Sequence, residues 1–292
     1  MTIFLYRDIA RSLQDTLVFG MFLCHTNVLV TANGPAYWGR LNTEWRLCND
    51  GKLQSPIDID PKHLLFDPTL KKLSIEGYQI NGLLVNSGND LSIDVDDDGP
   101  LGMAFYSGPV CYRYKVKYIK IHFGINDYTG SEHRIAGNEF PAEIQLLAYN
   151  AELYGNYTQA EMNAHGLMNV AVFAELGNIS NRFLESFKVP LEKVRFKGEE
   201  VRVNHLPLGK LMPQTKHYVT YEGSQTQPGC HETVTWVIMN RPVYITKDLL
   251  HDLRQLNQGG RENPIMLMKN NKRPLMPVRR LLDGAFCITP MT

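Results

Sequence analysis

No apolar run of the roughly 18 residues a helix needs to cross a bilayer occurs in this chain of 292 residues. Neither sign of charge dominates: Lys and Arg number 30, Asp and Glu also 30, and the formal net charge is zero. Such a balance leaves no global field to recruit nucleic acid or a membrane surface. Nothing repeats at the period of a solenoid or a propeller. What is present is ordinary globular material, 43% hydrophobic and 21% charged, enough for one large core.

The hydrophobic patterning is that of strands. Residues 91–95, 116–123, 143–149, 169–176, 218–221 and 233–239 alternate, or form short apolar runs rich in β-branched and aromatic side chains. Short helices are expected at 159–164, 180–187 and 247–256, the last with apolar residues at helical spacing. The acidic stretch D-V-D-D-D-G at 94–99 copies the first half of a calcium loop. Its twelfth position is Phe105, where calcium needs a bidentate glutamate. It reads as an acidic turn between two strands.

Polar residues interrupt two of these runs. In Y-I-K-I-H-F-G, residues 118–124, Lys120 and His122 share one face of a strand, and in P-A-E-I-Q-L-L-A-Y-N, residues 141–150, so do Glu143 and Gln145. A catalytic zinc takes three protein ligands from neutral imidazole, thiolate or carboxylate. A lysine ammonium offers a proton and a positive charge where a dication wants a lone pair, and an amide oxygen is a weak donor beside imidazole. A replacement site drawing on His133 or Glu143 is the geometric alternative. Lys120 needs a carboxylate partner, Glu143 or another, or a path to water along its stem. The remaining histidines, His165, His205, His217, His231 and His251, form no ligand-spaced group.

The order of several blocks resembles the α-class carbonic anhydrases: Y-W-G-R-L-N-T-E-W at 37–45, Q-S-P-I-D-I at 54–59, V-N-S-G-N at 85–89, G-S-E-H at 130–133, Y-E-G-S-Q-T-Q-P-G at 221–229 and K-R-P-L-M-P at 272–277. The resemblance implies an α+β, β-dominated single domain: a central, largely antiparallel twisted sheet with short surface helices and a cavity reaching into the sheet. It also implies that Lys120, His122 and Gln145 stand where the family places three zinc-ligand histidines, so only His122 is retained. Asn89 falls at the proton-shuttle histidine, Asn169 at an apolar position of the carbon dioxide pocket, and Glu132 with Thr226 at the hydroxyl-orienting pair. Gln227 stands where many active members have threonine.

Within that family, C-N-D-G-K-L-Q-S-P-I at 48–57 and M-N-R-P-V-Y-I-T at 239–246 are similar to the secreted, acatalytic branch, the carbonic anhydrase-related proteins X and XI. The branch implies a catalytically silent, zinc-free binding module with no cofactor and with cell-surface partners of neurexin type. The alternative is a carbonate dehydratase working through an altered zinc site. The resemblance pairs Cys48 with Cys230, a bridge of extracellular members, and leaves Cys111 and Cys287 unassigned. Residues 1–32, with Arg7, Arg11, the apolar run around Cys24 and V-T-A at 30–32, read as a secretory signal or an N-terminal extension, and 33–292 as the domain. Two sequons, at Asn156 and Asn178, fit an extracellular route.

Overall fold

The computed structural model describes residues 34–96 and 102–278, and the backbone at 287–288. The expected signal segment 1–32 and residues 97–99 of the acidic turn lie outside the described residues.

The strand patterning builds one 13-stranded sheet. From one edge, Glu200–Leu206, Ile80–Asn86, Leu91–Val95, Tyr114–Phe123, Ala142–Asn150 and Leu167–Leu176 pair antiparallel in turn. Val234–Met239 then joins Leu167–Leu176 in parallel, and Tyr218–Gly223 continues the sheet antiparallel. The large, mostly antiparallel sheet with few short helices is the expected architecture. All six expected strands form, each within three residues of its anticipated ends.

Alternation sorts the central strands into two faces. Ile119, Ile121, Ile144, Leu146, Val170, Val172 and Val237 point to the main core, where Phe183, Leu184, Phe187, Leu249, Leu250 and Leu253 from the helices pack on them. The other face carries a smaller cluster around Ala171, Phe173, Tyr221, Trp236 and Ile238. Ala142–Asn150 is buried at every position because both of its faces are covered. The smaller cluster does not fill its whole face, and the polar residues occupy the remainder.

The helices are shorter than expected. The anticipated 159–164 is a single turn at Tyr157–Ala160, started early by Asn156, whose side chain accepts from the Gln159 amide at 2.9 Å. The anticipated 180–187 divides into Arg182–Glu185, capped by Asn181, and Lys188–Glu192, which holds Pro190 in its first turn. The third runs Lys247–Leu253 behind the Thr246 cap.

Candidate functional site

Register brings the singled-out residues together. Lys120 lies opposite Gln145 and His122 opposite Glu143 on the paired strands, and Gln145 lies opposite Ala171 on the next. On the outer side Lys120 faces Ser92, two residues from Asp90. Gly130 lets G-S-E-H close over this surface: an added Cβ would sit 2.0 Å from the Pro141 carbonyl oxygen. Glu132 and His133 are thereby buried against the sheet, at 2% and 0% exposure.

The ammonium of Lys120 sits 2.7 Å from Asp90 Oδ2, with both side chains little exposed, 13% and 12%. The carboxylate that compensates this lysine is therefore Asp90 and not Glu143. The Asp90 backbone and its other oxygen are held in turn by Ser87, whose hydroxyl donates to Oδ1 at 2.6 Å. Asn89, at the shuttle position, belongs to the same turn and is half-buried, its amide N–H donating to Ser87 Oγ at 3.2 Å.

Glu143 is fully engaged elsewhere. It accepts from the His133 amide at 2.9 Å, from His133 Nδ1 at 2.8 Å and from Gln145 Nε2 at 2.9 Å. Burial alone would push this carboxyl up. The electrostatic pull and hydrogen bonding of His133, helped by His122 and Gln145, bring it down to about 2. His133 Nε2 meets the Tyr221 hydroxyl at 2.7 Å, and that hydroxyl donates to Ser55 Oγ at 3.0 Å. His133 thus sits in a structural hydrogen-bond chain, and a replacement metal site through His133 or Glu143 would have to dismantle it.

Gln145 is held as firmly. Its amide nitrogen donates one hydrogen to Glu143 and the other to Glu132 Oε2, at 2.8 Å. Two carboxylates fix the amide orientation, because the carbonyl end would be repelled by both. The other Glu132 oxygen accepts the Arg273 amide at 2.8 Å. This corrects the expected Glu132–Thr226 pair. Among the described residues no hydrogen bond joins them, and the Thr226 hydroxyl instead accepts from Gln227 Nε2 at 3.0 Å. With glutamine at 145, one amide hydrogen claims a Glu132 oxygen while the other goes to Glu143.

His122 Nδ1 donates to the Asn271 carbonyl at 2.9 Å, so in the neutral ring the lone pair is on Nε2. That nitrogen, 3.6 Å from Glu132, finds no hydrogen-bond partner in the protein, nor do Gln145 Oε1 and Asn169 Oδ1. Zinc is a poor fit to this set. One imidazole nitrogen and one amide oxygen are available, while the third position presents an ammonium already neutralised by Asp90. Among the described residues no three His, Cys, Asp or Glu side chains are grouped to hold a metal ion. No catalytic step through zinc is derived from these residues.

Three participants had not been singled out from the sequence. Asp90 could have been, since strand register puts it on the Lys120 face. Asn271 clasps the end of the His122 strand, its side chain donating to Ile121 O and accepting from Phe123 N, both at 2.9 Å. Arg273, only 2% exposed, donates to the carbonyls of Ser55 and Cys48 and to Gln54 Oε1, and lies over the Trp38 ring. Burial pulls its guanidinium down to about 10 against the raising effect of Glu132. Both lie in irregular chain, where no periodicity marks an inward-facing side chain.

The Cys48–Cys230 disulfide is present, with a Cα separation of 5.0 Å. It ties the N-terminal turns to the loop carrying Thr226. Cys111 is a free, exposed thiol, and the side chain of Cys287 is outside what is described. Asn156 and Asn178 are both exposed. No helix among the described residues is long and apolar enough to span a membrane.

The eukaryotic-type carbonic anhydrase family model matches residues 33–281. A carbonic anhydrase-like protein of Caenorhabditis elegans, carbonic anhydrase-like protein 2, is 42% identical over 236 residues, which cover 79% of this chain and 70% of the relative. By fold and sequence alike, this chain belongs to the eukaryotic-type carbonic anhydrases.

Proposed function

We propose that this protein is a catalytically silent, zinc-free carbonic anhydrase homologue that acts as a secreted binding module for cell-surface partners. The observation that carries the reading is the hydrogen bonding of the three ligand positions. Lys120 is neutralised by Asp90, Gln145 is pinned between two carboxylates, and His122 is left as a single imidazole. Without three ligands there is no metal to lower the pKa of a bound water from about 15.7 to about 7, and no hydroxide forms at neutral pH. The substitutions are compensated, each with its own partner, which suits a scaffold kept for its stability and surface.

The disulfide supports an oxidising compartment, since such bridges do not persist in a reducing cytosol. The two exposed sequon asparagines are compatible with the same route. The resemblance to the secreted acatalytic branch supplies the partner class, a neurexin-type receptor. Comparing culture medium with cell lysate after expression tests the first point: the protein is expected in the medium, shifted in mass by a glycosidase. Retention in the cytosol with free Cys48 and Cys230 would contradict it.

A further inference from the structure

Two recesses adjoin on the surface, well apart from the Lys120–His122–Gln145 cluster in their lining. One, of about 500 Å³, is walled by Lys72, Tyr78 and Met212 among others; the second, of about 470 Å³, reaches Asn240 and Arg241. Gln214, Thr215 and Lys216 line both, so the two form one groove. Among the described residues, no Asp or Glu lines either recess. In a chain whose charges cancel, this is a local concentration of one sign. Lys210 adds to it, its ammonium 5.6 Å from the centre of the Tyr78 ring.

We propose that this groove binds a sulfated polysaccharide. Lys72, Lys210, Lys216 and Arg241 supply spaced positive charges for successive sulfate groups. Between them Gln214, Thr215 and Asn240 supply neutral hydrogen-bonding groups suited to sugar hydroxyls. Tyr78, 47% exposed, adds an aromatic ring and a hydroxyl to the wall of the groove. A polyanion bound this way releases counterions, so its affinity falls with salt in proportion to the cations engaged. Placing the ligand outside the cell rests on the secreted reading above; the binding chemistry does not.

The test is calorimetric titration of the purified full chain with a heparin-derived octasaccharide, at low and at physiological salt. Wild type is expected to bind, with affinity falling steeply as salt rises. K72A/K216A/R241A should weaken binding by roughly tenfold or more and flatten the salt dependence. K52A/K62A/K193A, which removes three exposed lysines elsewhere, should stay within about twofold. The single charge reversal K72E gives a second, less invasive check in the same direction. Equal losses in the two triple variants would overturn the proposal, as would absence of binding by wild type. Equal binding of a polyglutamate of matched charge, or tighter binding to phosphatidylserine vesicles, would also overturn it by assigning the groove to an acidic peptide or a lipid surface. Zinc content and secretion are measured independently, so failure here leaves the pseudoenzyme reading standing, and the converse holds.

Discussion

Lys120 shows how one little-exposed cation organises its surroundings. An ammonium this little exposed must be paired, and the geometry supplies Asp90 at 2.7 Å. Removing one partner strands the other: D90A is expected to destabilise the fold by about 2–4 kcal/mol, as read by urea denaturation. The double variant K120M/D90A should cost less than D90A alone, and a loss equal to or larger than D90A would contradict a buried pair. Glu143 provides the matching pH prediction. Its carboxyl titrates lower in the folded protein, about 2 against an ordinary 4.5. Its contribution to stability is therefore present above pH 4.5 and lost as pH falls towards 2. E143Q should unfold more easily at neutral pH and lose less stability than wild type across that acid window. An unchanged acid profile would mean that His133 does not hold the carboxylate.

At the scale of the element, strands were far more legible in the sequence than helices. Period-2 alternation is enforced where one face of a strand is buried and the other is not, and residues 91–95, which alternate in this way, form a strand at those very positions. The helices are one or two turns long, and caps such as Asn156 and Asn181 set their limits more than apolar spacing does. The site was legible as far as register reaches. Strand periodicity relates Lys120 to His122 and Glu143 to Gln145, and the register sets the two pairs opposite each other; the pairing of their polar groups was not legible, because hydrogen-bond choice depends on groups from distant loops. Glu132 was expected to serve Thr226, yet its oxygens go to Gln145 and to the Arg273 amide. Arg273 is the clearest omission, since only the folded chain shows that one side chain gathers carbonyls from Cys48 and Ser55. R273M should cost about 2–4 kcal/mol by leaving buried carbonyls without donors. A midpoint of chemical denaturation within error of wild type would show those contacts to be dispensable.

Across the whole molecule, the fold and the family coincide, while the chemistry at the centre is, in the reading proposed above, no longer that of a zinc enzyme. The bridge between residues 182 apart in sequence constrains the unfolded chain, by about 5 kcal/mol in the chain-entropy model, independently of any metal. Because Lys120, His122 and Gln145 lie on neighbouring paired strands, K120H/Q145H should complete a three-histidine set and take up one zinc per chain. A folded double variant that binds none would show that the three positions no longer converge. For the protein itself, the decisive measurement is zinc per chain by elemental analysis of chelator-free material, read together with carbon dioxide hydration. Zinc near zero and no hydration above background are expected. One zinc per chain, lost along with hydration on replacing His122, would contradict the account and make the protein a carbonate dehydratase with an altered site.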